Sequence, residues 1–123
     1  MNQHHSLNYI EIACRDLAAS KLFFCAVFNW AFIDYLDPES GAVNYSTFSL
    51  DNINGGFFSA DKVASQNNDG TLIVFYSQNL NLTETEIKSA GGVISKPVFN
   101  FPGGRRFHFS DPSGNEFAVW SDQ

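Results

Sequence analysis

Alternating apolar and polar positions predict a strand over residues 7–14, with one apolar face and the other carrying Tyr9 and Glu11. The next run, 17–28, has no glycine or proline and follows Asp16, a residue type that caps helices, so it predicts a helix. Short apolar runs between turn-forming residues then predict three more strands, over 31–36, 43–50 and 53–59.

The second half of the chain repeats this order. It predicts a strand over 71–77, a helix over 81–90 and three strands over 93–96, 105–110 and 116–120. A polar stretch, 61–70, separates the halves and is typical of a linker. A unit of about 60 residues buries too little surface to fold alone. We therefore expect one α+β domain over 1–123, built from a βαβββ module over 1–60 and another over 71–123.

Composition narrows the classes of partner. Seven basic and thirteen acidic residues give a formal net charge of −6, which disfavours nucleic acid and anionic membranes as partners. No apolar run approaches the length of a membrane span and no signal peptide is evident, so we expect a cytoplasmic protein. Cys14 and Cys25 lack metal-site spacing and are expected to be buried, reduced thiols.

Aromatic residues are unusually frequent. The chain has thirteen Phe, four Tyr and two Trp, more than a small core requires. Each module also offers only one helix to cover four strands, so one face of the sheet needs another cover. This surplus favours an aromatic-lined cavity or a subunit interface.

Four motifs in the expected order resemble the vicinal oxygen chelate superfamily, which includes glyoxalase I, bleomycin-resistance proteins and extradiol dioxygenases. The opening segment 9–17 with Phe23 and Phe24 is similar to the start of its first module, and 109–117, which contains Asp-Pro-Ser-Gly-Asn, is similar to its closing signature. Gly55-Gly56-Phe57 and Ala90-Gly91-Gly92 also fit. The resemblance implies two βαβββ modules that form an open, cup-shaped mixed sheet with the helices on its outer face, commonly in a homodimer.

The resemblance also implies where a divalent metal would be held. The ligand positions of glyoxalase-type members fall on Tyr9, on Leu72, on Ala118 and on the strand around Gly56. Leucine and alanine have no donor atoms, and a neutral tyrosine is a poor ligand for zinc, nickel or iron(II). We therefore expect no metal and no other cofactor, and we do not expect metal-dependent lactoylglutathione lyase or dioxygenase activity.

Alternation along the strands, continued from those ligand positions, predicts which side chains face the cup. The predicted ligand-binding residues are Tyr9, Glu11, Leu72, Tyr76, Arg106, His108 and Trp120. Phe107 and Phe109 are then expected to face a helix, and a register error of one residue would exchange them with Arg106 and His108. The predicted site thus depends on the register of one strand.

Three functions remain open from the sequence. The first is a metal-free protein of this superfamily that binds a small aromatic or amphipathic molecule in an apolar cup. The second is a glyoxalase-like lyase or isomerase that uses Glu11 and His108 as acid and base, or an atypical metal site. The third is a dimeric interaction module whose cup is filled by side chains. For Glu11 and Arg106, a structural ion pair and a role in ligand binding are equally open.

Overall fold

The computed structural model describes residues 3–63 and 70–123. The first module consists of β1 (Tyr9–Cys14), α1 (Leu17–Phe28), β2 (Phe32–Leu36), β3 (Val43–Ser49) and β4 (Asn54–Ser59). The second consists of β5 (Ile73–Tyr76), α2 (Leu80–Ser89), β6 (Val93–Phe101), β7 (Gly104–Ser110) and β8 (Glu116–Ser121). The two-module α+β fold is confirmed. Of the predicted linker 61–70, residues 64–69 lie outside the described residues.

Each module forms its own four-stranded mixed sheet with the same topology. The strand orders are β1-β4-β3-β2 and β5-β8-β7-β6. In each sheet the first and last strands of the module pair in parallel and the other neighbours pair antiparallel. A parallel pair requires a crossover connection, which the helix of the module provides. The two modules therefore share not only the order of elements predicted from the sequence but also the order and direction of the strands in their sheets.

Both helices pack on one side of the two sheets and share one aromatic core. Phe24 of α1 is fully buried, and its ring lies 5.5 Å from that of Phe57 in the first sheet and 5.3 Å from that of Phe117 in the second. Phe23, on the same helix, lies 5.8 Å from Phe109 of β7. Because α1 contacts both sheets, neither module buries its apolar face alone. We call the sheet faces turned away from the helices the cup faces.

Among the boundaries that differ from the prediction are those of α2, β5 and β6. Helix α2 begins at Leu80 because the Asn79 side chain accepts from the backbone N–H of Leu82, so Asn79, and not a later residue, is the N-cap. Strand β6 does not end at residue 96 but passes Pro97, with register shifts on either side of Lys96, a deviation that an edge strand tolerates. Strand β5 begins at Ile73, so Leu72 precedes it.

Two further expectations about single residues were tested. Cys14 is buried, and burial raises the pKa of its thiol to about 12. Cys25 is exposed on α1, so the prediction of a buried thiol there was wrong.

Neither of the two described helices is long and apolar enough to span a membrane.

A buried carboxylate joins the turn between β7 and β8 to the first module. Asp111 is 3% exposed, and its Oδ2 accepts from the Ser20 hydroxyl of α1 at 2.9 Å. Its Oδ1 accepts the backbone N–H groups of Ser113 and Asn115 at 3.1 and 2.9 Å. The Asn115 side-chain amide in turn donates to the Ala13 carbonyl of β1 at 2.6 Å. The Asp-Pro-Ser-Gly-Asn segment is therefore a hydrogen-bonded clasp between the modules.

We predict that Asp111→Ala lowers the free energy of unfolding by about 2–4 kcal/mol, because it leaves one hydroxyl and two buried backbone N–H groups without their acceptor. Asp51→Ala, at an exposed turn position, is the matched control and is expected to change it by less than about 0.5 kcal/mol. Urea denaturation followed by circular dichroism measures both. Equal, small effects of the two substitutions would contradict the clasp.

Candidate functional site

The cup face of the first sheet carries a small hydrogen-bond network. Tyr9 of β1 and Tyr45 of β3 share a hydrogen bond across β4, and the Tyr45 hydroxyl donates to Glu11 Oε2 at 3.0 Å. The intervening residue on β4 is Gly56, where a Cβ would overlap the Tyr45 hydroxyl. Burial, followed by the hydrogen bonds to Tyr9 and Glu11, raises the pKa of Tyr45. Glycine at this position is therefore what allows the two tyrosines to meet.

The cup face of the second sheet holds a buried histidine and glutamate. His108 of β7 is fully buried, and its Nδ1 lies 3.1 Å from Glu116 Oε2 of β8. The Ser95 hydroxyl of β6 also lies within hydrogen-bond distance of that oxygen, at 3.5 Å. Because a carboxylate only accepts hydrogen bonds, Nδ1 carries the proton. The pair fixes the orientation of the imidazole.

Aromatic rings surround Arg106 on the same face. The Arg106 guanidinium carbon lies 5.3 Å from the Phe99 ring centre and 5.9 Å from that of Phe101. Trp120 of β8 is opposite Arg106 in the strand register, and its ring packs at 5.1 Å from Tyr76 and 6.1 Å from Phe101. Tyr76 is 48% exposed, so this aromatic surface is accessible to solvent. We call these five residues the aromatic face.

The register of β7 agrees with the prediction. Phe107 and Phe109 are fully buried on the helix side, where Phe109 contacts α1, and Arg106 and His108 lie on the opposite face. Residues that alternate along one strand occupy opposite faces. This prediction is confirmed for the strand on which the predicted site depended.

A mostly apolar cavity of about 370 Å³ lies between the sheets, at the edge strands β1 and β5 and the start of β8. Its wall includes Ile10, Ile12, Ile73 and Phe117, together with Glu11 and Glu116. This volume is within the range of small-molecule pockets, about 300–1,000 Å³. Glu116 thus belongs both to the cavity wall and to the pair with His108.

The structure divides the predicted site residues into separate groups. Tyr9 and Glu11 belong to the network of the first sheet, and Glu11 alone of the seven is among the residues of the cavity wall. The other strand residues, Tyr76, Arg106, His108 and Trp120, lie on the cup face of the second sheet. Leu72 is half-buried just before β5. The predicted convergence of all seven on one cavity is therefore not what the structure shows.

Two pairings that the sequence left open are not formed. Among the described residues, Lys21–Asp34 is an ion pair and Glu11 does not pair with Arg106. His108 is hydrogen-bonded to Glu116, and Glu11 to Tyr45. Glu11 and His108, the acid and base of the alternative function, therefore belong to separate networks.

Sequence reasoning missed two groups of residues. Tyr45 was not singled out, although Gly55-Gly56 signals a close approach on the neighbouring strand. Phe99 and Phe101 were placed outside the strands because Pro97 argued against a continuous β6. The signal that would have found them is their spacing: two Phe residues two positions apart share one face of a strand, and that strand pairs with β7.

A family model described as the Glyoxalase/Bleomycin resistance protein/Dioxygenase superfamily matches residues 6–119. The chain belongs to this superfamily. The match spans both modules and the clasp, and it confirms the resemblance read from the four sequence motifs.

A curated relative of this chain is the anthracycline biosynthesis protein DauV of Streptomyces sp. strain C5. It is 29% identical over 126 residues, which cover 91% of this chain and 45% of DauV. The chain thus spans about half the length of the curated relatives it matches.

Solved structures of superfamily members share the fold at low sequence identity. The E126Q mutant of the fosfomycin resistance protein FosX from Listeria monocytogenes, complexed with Mn(II) and a dihydroxypropylphosphonic acid, has a TM-score of 0.74 at 22% identity, covering 96% of this chain and 90% of FosX. A glyoxalase/bleomycin resistance protein/dioxygenase family enzyme from Burkholderia phytofirmans has a TM-score of 0.72 at 15% identity, covering 94% and 98% of the two chains. These similarities show the fold.

The residues at the superfamily's metal positions do not fit a divalent metal. The Tyr9 hydroxyl is hydrogen-bonded to Tyr45, and Leu72, Ala118 and Gly56 have no side-chain donor atom. Within residues 3–63 and 70–123, no group of three or more His, Cys, Asp or Glu side chains is placed to hold a metal ion. Oxygen, nitrogen or thiolate donors in such a group are what a divalent site requires.

The buried His108 makes a testable contribution to the pH dependence of stability. Burial lowers the pKa of His108 below its ordinary value of 6.5, the hydrogen bond to Glu116 opposes this, and the charges of Arg106 and Lys96 lower the pKa further. At a pH between the lowered pKa of His108 in the folded protein and its ordinary pKa in the unfolded chain, the unfolded chain binds more protons than the folded one. This contribution to stability is therefore complete above about pH 6.5 and is lost as the pH falls below it.

We predict that the free energy of unfolding of the wild type falls more between about pH 7.5 and about pH 5.5 than that of His108→Gln, which keeps a polar partner for Glu116 but does not titrate. Urea denaturation of both proteins at each pH measures the difference. Parallel changes in the two proteins would show that His108 is not shifted by the fold.

Proposed function

We propose that this protein binds a planar aromatic small molecule on the aromatic face of the second sheet, without a metal ion. The observation that carries the proposal is the packing of Trp120 with Tyr76 and Phe101, beside a guanidinium that lies over two Phe rings. Tyr76 and Phe101 are partly exposed and meet the Trp120 ring edge to face, at interplanar angles of 69° and 63°, so apolar ring surface lies next to a charged group. Such a surface suits a flat ligand with one polar end.

The interaction free energies available on this face favour an aromatic ligand over an aliphatic one. Aromatic pairs contribute about 0.5–1.5 kcal/mol beyond the burial of their area. Tyr76 and Val74 on this face are 48% and 42% exposed, so a ligand would remove apolar surface from water. The cavity of about 370 Å³ between the sheets gives additional apolar space next to Glu116.

The names of the curated relatives agree with this ligand class. Two relatives, 29% and 28% identical to this chain, are named anthracycline biosynthesis proteins. Anthracyclines are planar polycyclic aromatic compounds. This chain spans about half the length of those relatives. Its aromatic cup face is consistent with binding of such a molecule or of a precursor of similar shape.

Metal independence is part of the proposal and is supported by the side chains at the superfamily's metal positions. Two of these positions carry Leu72 and Ala118, and the third carries Tyr9, which is hydrogen-bonded to Tyr45. The alternative of a lyase or isomerase based on Glu11 and His108 is less well supported, because these residues belong to separate networks. The open cavity likewise favours a binding protein over a filled interaction module.

We predict that 2-naphthoate raises the melting temperature of the wild type and that its saturated analogue, decahydro-2-naphthoate, does not, because only the flat ring system stacks. At a ligand concentration of 100 times Kd, the stabilisation is expected to be about 2.7 kcal/mol. Trp120→Ala should abolish the shift. Differential scanning fluorimetry over a ligand titration measures it, and equal shifts with the two naphthoates would contradict the proposal.

Two controls separate binding from folding. Trp120→Ala is itself expected to lower stability by about 3 kcal/mol, so the ligand-induced shift and not the melting temperature alone is compared. Leu82→Ala, which alters a side chain 55% exposed on α2, should leave the shift unchanged. Dialysis against EDTA should also leave it unchanged, and loss of the shift on dialysis, restored by zinc, nickel or iron, would overturn metal independence.

We further propose a homodimer, which covers exposed apolar side chains of α1 and of the edge strand β2. Leu22 of α1 is 73% exposed, and Ile33 and Leu36 of the edge strand β2 are 66% and 64% exposed. Exposed apolar patches of this kind are typical of protein interfaces.

We predict that sedimentation at micromolar concentration gives a dimer and that Leu22→Glu shifts it toward monomer, because the carboxylate would be buried at the interface. Leu82→Glu, on the other helix, is the matched control and should not change the assembly. A wild-type monomer at this concentration would exclude the dimer.

A further inference from the structure

Two buried nitrogen atoms on β7 have no hydrogen-bond partner among the described residues, Arg106 Nε and His108 Nε2. Both residues lie on the cup face, two positions apart on one strand, so their Cα atoms are about 7 Å apart. A buried polar group without a partner is destabilising, because it has lost its hydrogen bonds to water without replacing them. Two such atoms side by side mark a place where a ligand could restore the missing hydrogen bonds.

The two nitrogens differ in hydrogen-bonding character. Arg106 Nε–H is a donor only. His108 Nδ1 carries its proton toward the Glu116 carboxylate, so in the neutral ring Nε2 has a lone pair and accepts. Burial lowers the pKa of His108, which keeps the ring neutral near pH 7. A ligand that satisfies both atoms must therefore bring one acceptor and one donor.

The ring of Phe99 lies over both residues. It is 5.3 Å from the Arg106 guanidinium carbon and 5.8 Å from the His108 ring centre. Phe99 follows Pro97 on β6, in a segment where the register with β7 shifts. The Phe99 side chain is half-buried at the edge of the sheet. A flat ligand that takes the place of this ring would lie over the two polar groups.

We infer that this part of the second cup face is a subsite for a phenolic aromatic ligand that also carries an acceptor oxygen, such as a carboxylate or a carbonyl. The phenol O–H donates to His108 Nε2, and the acceptor oxygen receives the Arg106 Nε–H. The inference rests on the proposed function and adds the chemistry of the ligand's polar edge.

Other ligand classes meet only part of this arrangement. An aromatic acid without a hydroxyl satisfies Arg106 but leaves the lone pair of His108 without a donor. An aromatic ligand with an alkylammonium group meets Arg106, and Lys96 opposite His108 in the strand register, both of the same charge as that group. Sites built to hydrogen-bond a hydroxyl discriminate strongly against analogues that lack it, because the buried polar group is then unpaired.

The test compares two probes, 7-hydroxy-2-naphthoate and 7-methoxy-2-naphthoate, which share ring and carboxylate but differ in the donor. Isothermal titration calorimetry should give a Kd for the hydroxy compound about tenfold or more below that of the methoxy compound with the wild type. In His108→Phe the two constants should agree within about twofold, because the acceptor is gone. Arg106→Met should weaken both about tenfold and keep their ratio.

The outcomes distinguish this inference from the proposed function. If neither naphthoate binds the wild type, the proposed function fails, and the subsite with it. If both bind with equal constants, the aromatic binding stands and the phenol subsite is refuted, and this comparison needs no variant. A preference for the hydroxy probe that persists in a folded His108→Phe protein, checked by circular dichroism, would also refute it.

Discussion

The contact on which the arrangement of the two modules depends is the buried carboxylate of Asp111. Its oxygens accept from Ser20 of α1 and from two backbone N–H groups of its own turn, and Asn115 of that turn donates to β1. Burial raises the pKa of Asp111, and these donors oppose the rise. Because the turn leads directly into β8, the clasp sets where Glu116, Ala118 and Trp120 stand relative to the first module.

The two faces of each sheet carry different kinds of side chain because the helices and both sheets share one core. Phe23 and Phe24 of α1 reach both sheets, so the alternate residues on the other face of each strand are turned away from the helices. In the first sheet these residues close into the network of Tyr9, Tyr45 and Glu11. In the second sheet they include a histidine and an arginine, each with a buried nitrogen that has no hydrogen-bond partner within residues 3–63 and 70–123. The two modules thus share a topology but differ in the chemistry of their cup faces.

The local pattern of apolar and polar residues was sufficient to predict most of the helices and strands. It did not predict which side chains would contact one another. The bounds of α1 and the register of β7 agree with the prediction because apolar periodicity is a property of each segment alone. The partner of His108 could not be predicted because it depends on which strand lies alongside β7, and that strand is β8, which carries Glu116. Similarly, Tyr45 reaches Tyr9 only because the strand between them has a glycine. Such contacts depend on sheet order, which alternation does not specify.

The first sheet shows how one residue without a side chain shapes a network across three strands. Gly56 lies between β1 and β3, so two tyrosines meet above it and hold Glu11. A Cβ at Gly56 would overlap the Tyr45 hydroxyl, so the network in this arrangement requires glycine at that position. The aromatic core lies on the other side of the sheet and does not depend on the network. Arg106, His108 and Trp120 share one face of the second sheet, so the two cup faces carry their polar groups independently of each other.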